Sequence, residues 1–202
     1  MGIIFTAIFS GIEVIWDKQF GFLKETLVAP VSRTKIMLGR TLGGATVATL
    51  QGILVFIISL IIGFRPESVL AVLGALIIMF LVAIVFTALG TAIASMLDDM
   101  QGFQLIMNFL VMPLFFLSGA LFPLRGLPGW MSALTRLDPA SYGIDPLRRV
   151  VLNAAAAPNL FGGAPGMTIG GRVLPIAVEL VVLTAFAVLM LAIAIRNFRV
   201  PD

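Results

Sequence analysis

The side chains that could do chemistry in this sequence are acids, hydroxyls and amides, because the 202 residues include neither histidine nor cysteine. Serine and aspartate therefore lack the partner that most often activates a nucleophile. Thiol chemistry, disulfides and the common zinc sites are excluded as well. No G-x-x-x-x-G-K-[ST] phosphate loop is present, so the chain cannot bind ATP in that geometry. We expect no catalytic residue and no metal site, and hence no enzyme activity in this chain by itself.

One pair of acids, Asp98 and Asp99, could suggest a metal site. A solvated turn between two helices is the commoner role of such a pair, and we favour it. Three further polar residues interrupt long apolar runs: Gln51, Asn108 and Glu179. An acid within a membrane span is costly and is a functional candidate. Glu179 could instead reach water or Arg172. The side-chain amides of Gln51 and Asn108 could equally form hydrogen bonds between helices.

Composition defines the environment of these residues. Apolar residues make up 60% of the chain and charged residues only 11%, whereas soluble domains carry roughly a quarter charged residues. The net charge of +3 is explained by cations that flank hydrophobic runs, and no nucleic-acid partner is expected. The predicted fold class is all-α, a polytopic membrane helical bundle.

Hydropathy predicts complete spans over 36–62, 69–96, 103–122 and 173–195. Residues 1–15 are too short to span, since about 20 residues are needed. We interpret them as the second half of a span, with a surface-lying helix as the alternative. Gly39, Gly43 and Gly44 are expected to permit close helix packing.

The polar stretch from Trp16 to Arg40 holds five cations and is therefore expected to be cytoplasmic. Trp16, Phe20, Leu23 and Leu27 form one apolar stripe of a helix, and Pro30 ends it. This predicts a short amphipathic helix over 16–30 on the cytoplasmic face. Alternation of the spans then places 123–172 outside, with short interfacial helices, and the C-terminus inside.

Three blocks of sequence, taken in order, resemble one family. These are FGFLKETLVAPVSRTKIMLGRTL, MNFLVMPLFFLSGALFPLRGLPGWM and DPASYGIDPLRRVVL. Together they resemble ABC type-2 transporter permeases, the transmembrane subunits of drug and polysaccharide exporters. The resemblance covers nearly the whole chain. It implies that residues 1–202 form a single transmembrane domain. It departs from the family at the front, where the N-terminal segment and first span are lacking, so we expect an N-terminally truncated permease with about five and a half transmembrane helices.

The resemblance implies a half-channel that dimerises with a second permease copy, identical or a close paralogue, in contact with membrane lipid. It also implies a partner ABC ATPase subunit, which would bind ATP and Mg in place of this chain. The residues implied to couple to the ATPase are Trp16, Phe20, Leu23, Lys24, Glu25, Leu27 and Pro30. Those implied for the translocation path or gate are Gln51, Asn108, Pro113, Ser118, Gly119 and Glu179.

The expected function is therefore outward, ATP-driven movement of an amphiphilic drug, lipid or lipid-linked glycan across the plasma or inner membrane of a prokaryote. The alternative is a non-transporting membrane scaffold or an immunity-type component derived from such a permease. An ion-coupled carrier is disfavoured, because the sequence shows no internal repeat and no acid–base pair at mid-membrane.

Overall fold

A computed structural model describes residues 1–22, 31–66, 68–120, 129–152, 167–169 and 172–197. Five of the predicted coupling residues lie outside these ranges: Leu23, Lys24, Glu25, Leu27 and Pro30. The helices and strands, in chain order, are α1 (Gly2–Phe9), α2 (Ile12–Gln19), α3 (Arg33–Ile62), α4 (Val69–Met96), α5 (Met100–Leu117), α6 (Gly129–Leu137), α7 (Ser141–Leu152), β1 (Thr168–Ile169), β2 (Arg172–Val173) and α8 (Ile176–Asn197).

The all-α polytopic class is confirmed. Within the described ranges, four helices are long and apolar enough to cross a membrane, namely α3, α4, α5 and α8. These four match the complete spans that hydropathy predicts, and the described residues hold no further candidate span toward the expected count of about five and a half. Helices α6 and α7, with 9 and 12 residues, are too short to cross, as expected for short interfacial helices. A small antiparallel ladder of β1 and β2, which the sequence did not predict, precedes α8.

Helix α4 is the centre of the bundle and packs against α1, α2, α3, α7 and α8. One face of this helix consists of small residues that are all buried: Ala83, Thr87, Gly90, Thr91 and Ala94. Small side chains let helix backbones approach closely where lipid supplies no hydrophobic driving force between helices. The sequence of α4 thus explains why so many helices can surround it.

Helices α1 and α2 form one nearly continuous path, since the linking residues Ser10 and Gly11 keep right-handed helical angles. The pair packs along α3 and α4 and buries Ile8 and Ile15 completely. This packing agrees with a partial span rather than with a surface-lying helix.

Backbone contact between α4 and the pair of α1 and α2 occurs at two glycines. A Cβ on Gly90 would lie 2.2 Å from the carbonyl oxygen of Ile8, and one on Gly11 would lie 2.5 Å from the Gly90 carbonyl. On α3, Gly44 makes a similar approach to Ser10. The expectation for Gly39 and Gly43 is wrong within this chain, because the described residues place no atom within 4 Å of a Cβ at either position.

Three predicted boundaries need correction. Trp16 lies inside α2, which ends at Gln19 with Phe20 as its C-cap, so no helix begins at Trp16. Gly21 follows with a φ of 80°, a left-handed angle that ends a helix and that glycine tolerates best. Helix α5 begins three residues before the predicted 103 and ends at Leu117 instead of 122, since Ser118 and Gly119 form its C-terminal turn.

Candidate functional site: the Lys18 junction and the Arg149 cluster

Four consecutive residues at the end of α2 contact three other parts of the bundle. The Trp16 indole Nε1 donates to Met100 Sδ at 3.0 Å, and Asp17 forms an ion pair with Arg40 of α3. Gln19 Nε2 donates to the carbonyl oxygen of Asp98 at 3.2 Å. We call Trp16–Gln19, together with these partners and those of Lys18, the Lys18 junction.

Lys18 is the most buried charge of this junction, with a side chain only 7% exposed. Its ammonium donates to the carbonyl oxygens of Ser95 and Leu97, both at 2.9 Å, and to Asp98 Oδ1 at 3.1 Å. These carbonyls end α4, where the helix dipole concentrates negative partial charge and attracts cations. The sequence indicated Lys18 only as a cytoplasmic cation, because no local pattern points to acceptors about 80 residues away.

The acids of the α4–α5 turn are both used within the chain. Asp98 accepts from Lys18, while Asp99 caps α5 by accepting from the backbone N–H groups of Gln101 at 3.1 Å and Gly102 at 2.8 Å. An acid at this position also stabilises the positive end of the helix dipole. The contacts favour the predicted turn over a metal site.

Three exposed aromatic side chains lie in the Lys18 junction or directly after it in the sequence. Phe20 is 69% exposed, and Trp16 and Phe22 are about half exposed. Exposed aromatic residues in a cluster are typical of protein interfaces. Trp16 and Phe20 are therefore exposed enough to contact a partner protein, as predicted for the ATPase. The indole N–H of Trp16, however, is already bonded within the chain.

The predicted path residues Gln51 and Asn108 do not form one site in the described protomer. Gln51 is hydrogen-bonded to Thr6 of α1 and lines a cavity of about 390 Å³ between α1, α3, α4 and α7. Asn108 lies on the outward face of α5, beside the highly exposed Phe109. The interhelical bond thus fits Gln51, while Asn108 stays available to lipid or to a partner.

Pro113 is exposed and lies within α5, which continues for one more turn. Ser118 and Gly119 are buried at the helix end, where Gly119 has a φ of 76° and its carbonyl oxygen accepts from Arg148 of α7. Gly119 therefore connects the end of α5 to α7, while the Ser118 hydroxyl donates to the Phe115 carbonyl oxygen within α5. Whether Pro113 acts as a gate stays a prediction.

Glu179, the acid predicted near the start of the last span, is fully buried in what we call the Arg149 cluster: Asp145, Arg149 and Glu179. Arg149 Nη2 donates to both acids, at 2.7 Å to Asp145 Oδ2, and Nη1 donates to the Leu174 carbonyl oxygen at 2.8 Å. Arg149 is thus a partner of Glu179 that the sequence did not indicate. Four residues separate Asp145 from Arg149, a helical ion-pair spacing that could have drawn attention to this cluster.

Within this cluster the backbone N–H of Met167 also donates to Asp145 Oδ2, at 2.8 Å. Glu179 Oε2 and Arg149 Nε have no hydrogen-bond partner among the described residues. The cluster therefore joins α7, α8 and the segment before β1 through buried charge. Glu179 is fully buried within this protomer, and its place in the translocation path stays a prediction.

A second buried acid, Asp138, lies in the turn between α6 and α7. Its Oδ1 accepts from the Ala140 N–H at 2.8 Å, and its Oδ2 lies 3.5 Å from the Ser141 hydroxyl. Burial raises the pKa of Asp138 to about 7, and the two hydrogen bonds oppose that rise only in part. The carboxyl group therefore gains its charge near neutral pH.

We expect the stability of the protein to fall as the pH rises from 5.5 to 7.5. Because the pKa of Asp138 is higher in the folded protein than in the unfolded chain, folding is favoured while the acid holds its proton. The loss from this group amounts to about 1–2 kcal/mol over that interval. Thermal unfolding in detergent at both pH values measures it, and Asp138→Asn should flatten the dependence. An equal slope in that variant would contradict this origin.

Comparison with known proteins decides the family. The ABC-2 type transporter family matches residues 1–152, three quarters of the chain. The chain belongs to the ABC-2 type transporter family. The transport permease ycf38 of Porphyra purpurea is 33% identical over 159 residues, covering 75% of this chain and 54% of that protein. Nodulation protein J of Rhizobium meliloti (strain 1021) is 29% identical, covering 59% and 45%.

A third relative of this ABC-2 permease is YbhR of Escherichia coli (strain K12), whose name assigns it to multidrug ABC transporter permeases. It is 24% identical over 153 residues, covering 74% of the permease and 40% of YbhR. The permease spans about half the length of the curated relatives it matches. The family match contains the whole Lys18 junction and Arg149, whereas Glu179 lies beyond it.

Proposed function

We propose that this multi-pass membrane permease is the transmembrane subunit of an ATP-driven exporter. Separate ATPase subunits would bind ATP and Mg and hydrolyse ATP, while the permease moves an amphiphilic drug, lipid or lipid-linked glycan outward. The observation that carries the proposal is the ABC-2 family match over residues 1–152. The name of YbhR, a multidrug transporter permease, supports the amphiphilic substrate class. We place it in the plasma or inner membrane of a prokaryote, with a cytoplasmic C-terminus.

The exposed aromatics at the Lys18 junction support an ATPase docking face. Phe20 and Phe22 are exposed at the end of α2, next to the predicted apolar stripe. An apolar helix face that enters a groove on a partner is a common recognition mode. We propose that the ATPase contacts the permease here.

The outward face of α5 supports a permease dimer. It carries large exposed apolar side chains: Leu105, Phe109, Met112 and Phe116. Lipid could cover them, but Asn108 lies on the same face and an amide is costly against hydrocarbon. We propose that this face meets a second copy and lines the path between the two.

To test the function, the permease and its ATPase would be reconstituted in liposomes, with a fluorescent phospholipid and ethidium as alternative probes. We expect one of them to move when ATP is supplied and not with a non-hydrolysable analogue. Phe20→Asp with Leu23→Asp should weaken ATPase association by about thirtyfold and abolish movement. Exposed Val31, changed to Asp, is the matched control and should bind normally.

Failure of any ATPase to associate with the permease would contradict this function and favour the scaffold alternative. Movement of a probe that an ion gradient drives without ATP would contradict it as well. Normal ATPase binding by the double variant would refute only the docking face.

A further inference from the structure

The Lys18 junction connects the end of α2 to the ends of three candidate spans. Trp16 contacts the start of α5, Asp17 pairs with α3, and Lys18 and Gln19 contact the end of α4 and the turn that follows it. Phe20, where the proposed ATPase contact begins, directly follows Gln19. A displacement of that stretch can therefore reach the end of α4 through the junction, besides reaching α3 along the chain.

Lys18 has the geometry of a fixed connection. An ammonium carries three N–H donors, and Lys18 has three acceptors within 3.1 Å: two terminal carbonyls of α4 and Asp98. Most of its side chain is buried, unlike that of a solvated surface lysine. Hydrogen bonds from a charged donor are stronger than neutral ones, so α2 and the end of α4 should move together.

Helix α4, to which Lys18 is bonded, is the central helix of the described bundle. Helix α4 packs against five helices and is in backbone contact with α1 and α2 near Gly90. A helix so closely packed transmits a shift of its end to its neighbours as a body, since packed interiors do not deform continuously.

We propose that Lys18 and Gln19 are positioning residues that transmit movement from the ATPase-facing stretch to α4. The inference rests on the proposed ATP-driven function and adds to it the residues that carry the movement. Neither residue needs to touch ATP or the transported molecule. The expected consequence of losing them is ATP hydrolysis that no longer moves the spans.

A single thiol at the far end of α4 can report that movement. Leu70→Cys creates the only thiol of the permease, because the native chain has no cysteine, and Leu70 is highly exposed. In the complete complex with its ATPase, a membrane-impermeant maleimide would label this thiol with and without ATP plus vanadate. We expect the trapped state to change the labelling rate in the otherwise native chain.

Lys18→Met should reduce that nucleotide-dependent change by about threefold or more, while the ATPase stays bound and continues to hydrolyse ATP. Lys18→Arg, which keeps charge and several donors, should restore much of it. Lys35→Met removes an exposed cation of the same polar stretch and is the matched control without effect. If Lys18→Met fails to assemble, Gln19→Ala decides, since Gln19 is exposed and loses one bond to the same turn.

An unchanged labelling response in Lys18→Met, or in Gln19→Ala where that variant decides, would overturn the proposal. So would a reduced response accompanied by an equal loss of thermal stability and of ATPase binding, because that pattern indicates a merely structural role. No response to ATP and vanadate in the native background would count against the ATP-driven function itself, and the inference would fail with it.

Discussion

Gly90→Ala is expected to destabilise the permease by about 1–3 kcal/mol, the usual cost of overpacking a close-packed interior. The added Cβ would lie 2.2 Å from the Ile8 carbonyl oxygen and 2.9 Å from the Ile8 carbonyl carbon. Both are backbone atoms, which cannot rotate away as a side chain would. Relief requires that α1 and α2 move away from α4, which also separates Gly11 from the Gly90 carbonyl.

Thermal unfolding of the purified permease, followed by the fluorescence of Trp16 and Trp130, measures this effect. Gly43→Ala is the matched control, because a Cβ there meets no atom of the described chain within 4 Å. Alanine is also the better helix former by about 1 kcal/mol, so this control should be neutral or stabilising. Equal unfolding temperatures for the two variants would show that the close approach of α1 to α4 is not a stabilising contact.

The sequence predicted the spans well, because long apolar runs between polar turns carry a strong signal. The predicted 69–96 coincides with α4, and the predicted end at 62 coincides with the end of α3. At the end of α3, Gly63 adopts a left-handed φ of 114° and closes the helix, a turn that glycine favours. The predicted end of a helix was wrong where the sequence stays apolar past the helix, as it does after Leu117.

The sequence could not predict which face of each helix is buried. Gly39, Gly43 and Gly44 are equivalent by composition, but in the part of the chain that the structure describes only Gly44 lies close to other helices. The rotation of α3 is fixed by side chains of α1 and α4 that are distant in sequence. Hydropathy is nearly uniform around such helices, so the usual difference between an apolar and a polar face is missing.

The same limit applies to the charged residues of the candidate site. The carbonyls that bind Lys18 belong to a helix 77 residues further along the chain, and no local spacing encodes that contact. Glu179 was predicted to be a functional candidate because it is an acid in a span. The structure places it in a buried ion pair with Arg149. Its partner required the fold, since Arg172 and Arg149 are both candidates by sequence.

Arg149→Met is expected to have the largest effect on stability, about 3–5 kcal/mol, because it leaves buried acids without their cation. Asp145 is 4% exposed and Glu179 is fully buried, and both accept from the same Nη2. The Leu174 carbonyl oxygen loses its donor as well. Methionine keeps much of the side-chain volume, so the variant tests charge more than packing.

Unfolding temperature and the yield of folded permease in detergent measure the loss. Arg136→Met, in the neighbouring α6, is the matched control because Arg136 is exposed, and it should change stability by less than about 1 kcal/mol. Arg149→Lys should fall between, since an ammonium cannot reproduce a guanidinium that contacts three acceptors. If Arg149→Met and Arg136→Met were equally mild, the Arg149 cluster would not hold α7 against α8.

The double variant Arg149→Met with Glu179→Gln separates two contributions to the lost stability. One is the loss of the ion pair itself, and the other is the cost of leaving the Glu179 charge buried without a cation. If most of the loss arises from an acid left buried without its cation, removing the Glu179 charge should recover a large part of it. Glu179 Oε2 has no donor among the described residues, so an amide N–H₂ at that position does not displace an existing hydrogen bond. A double variant as unstable as Arg149→Met alone would instead assign the loss to Asp145 and to the Leu174 carbonyl. The cluster would then fix α7 to the segment before α8, with Glu179 contributing little.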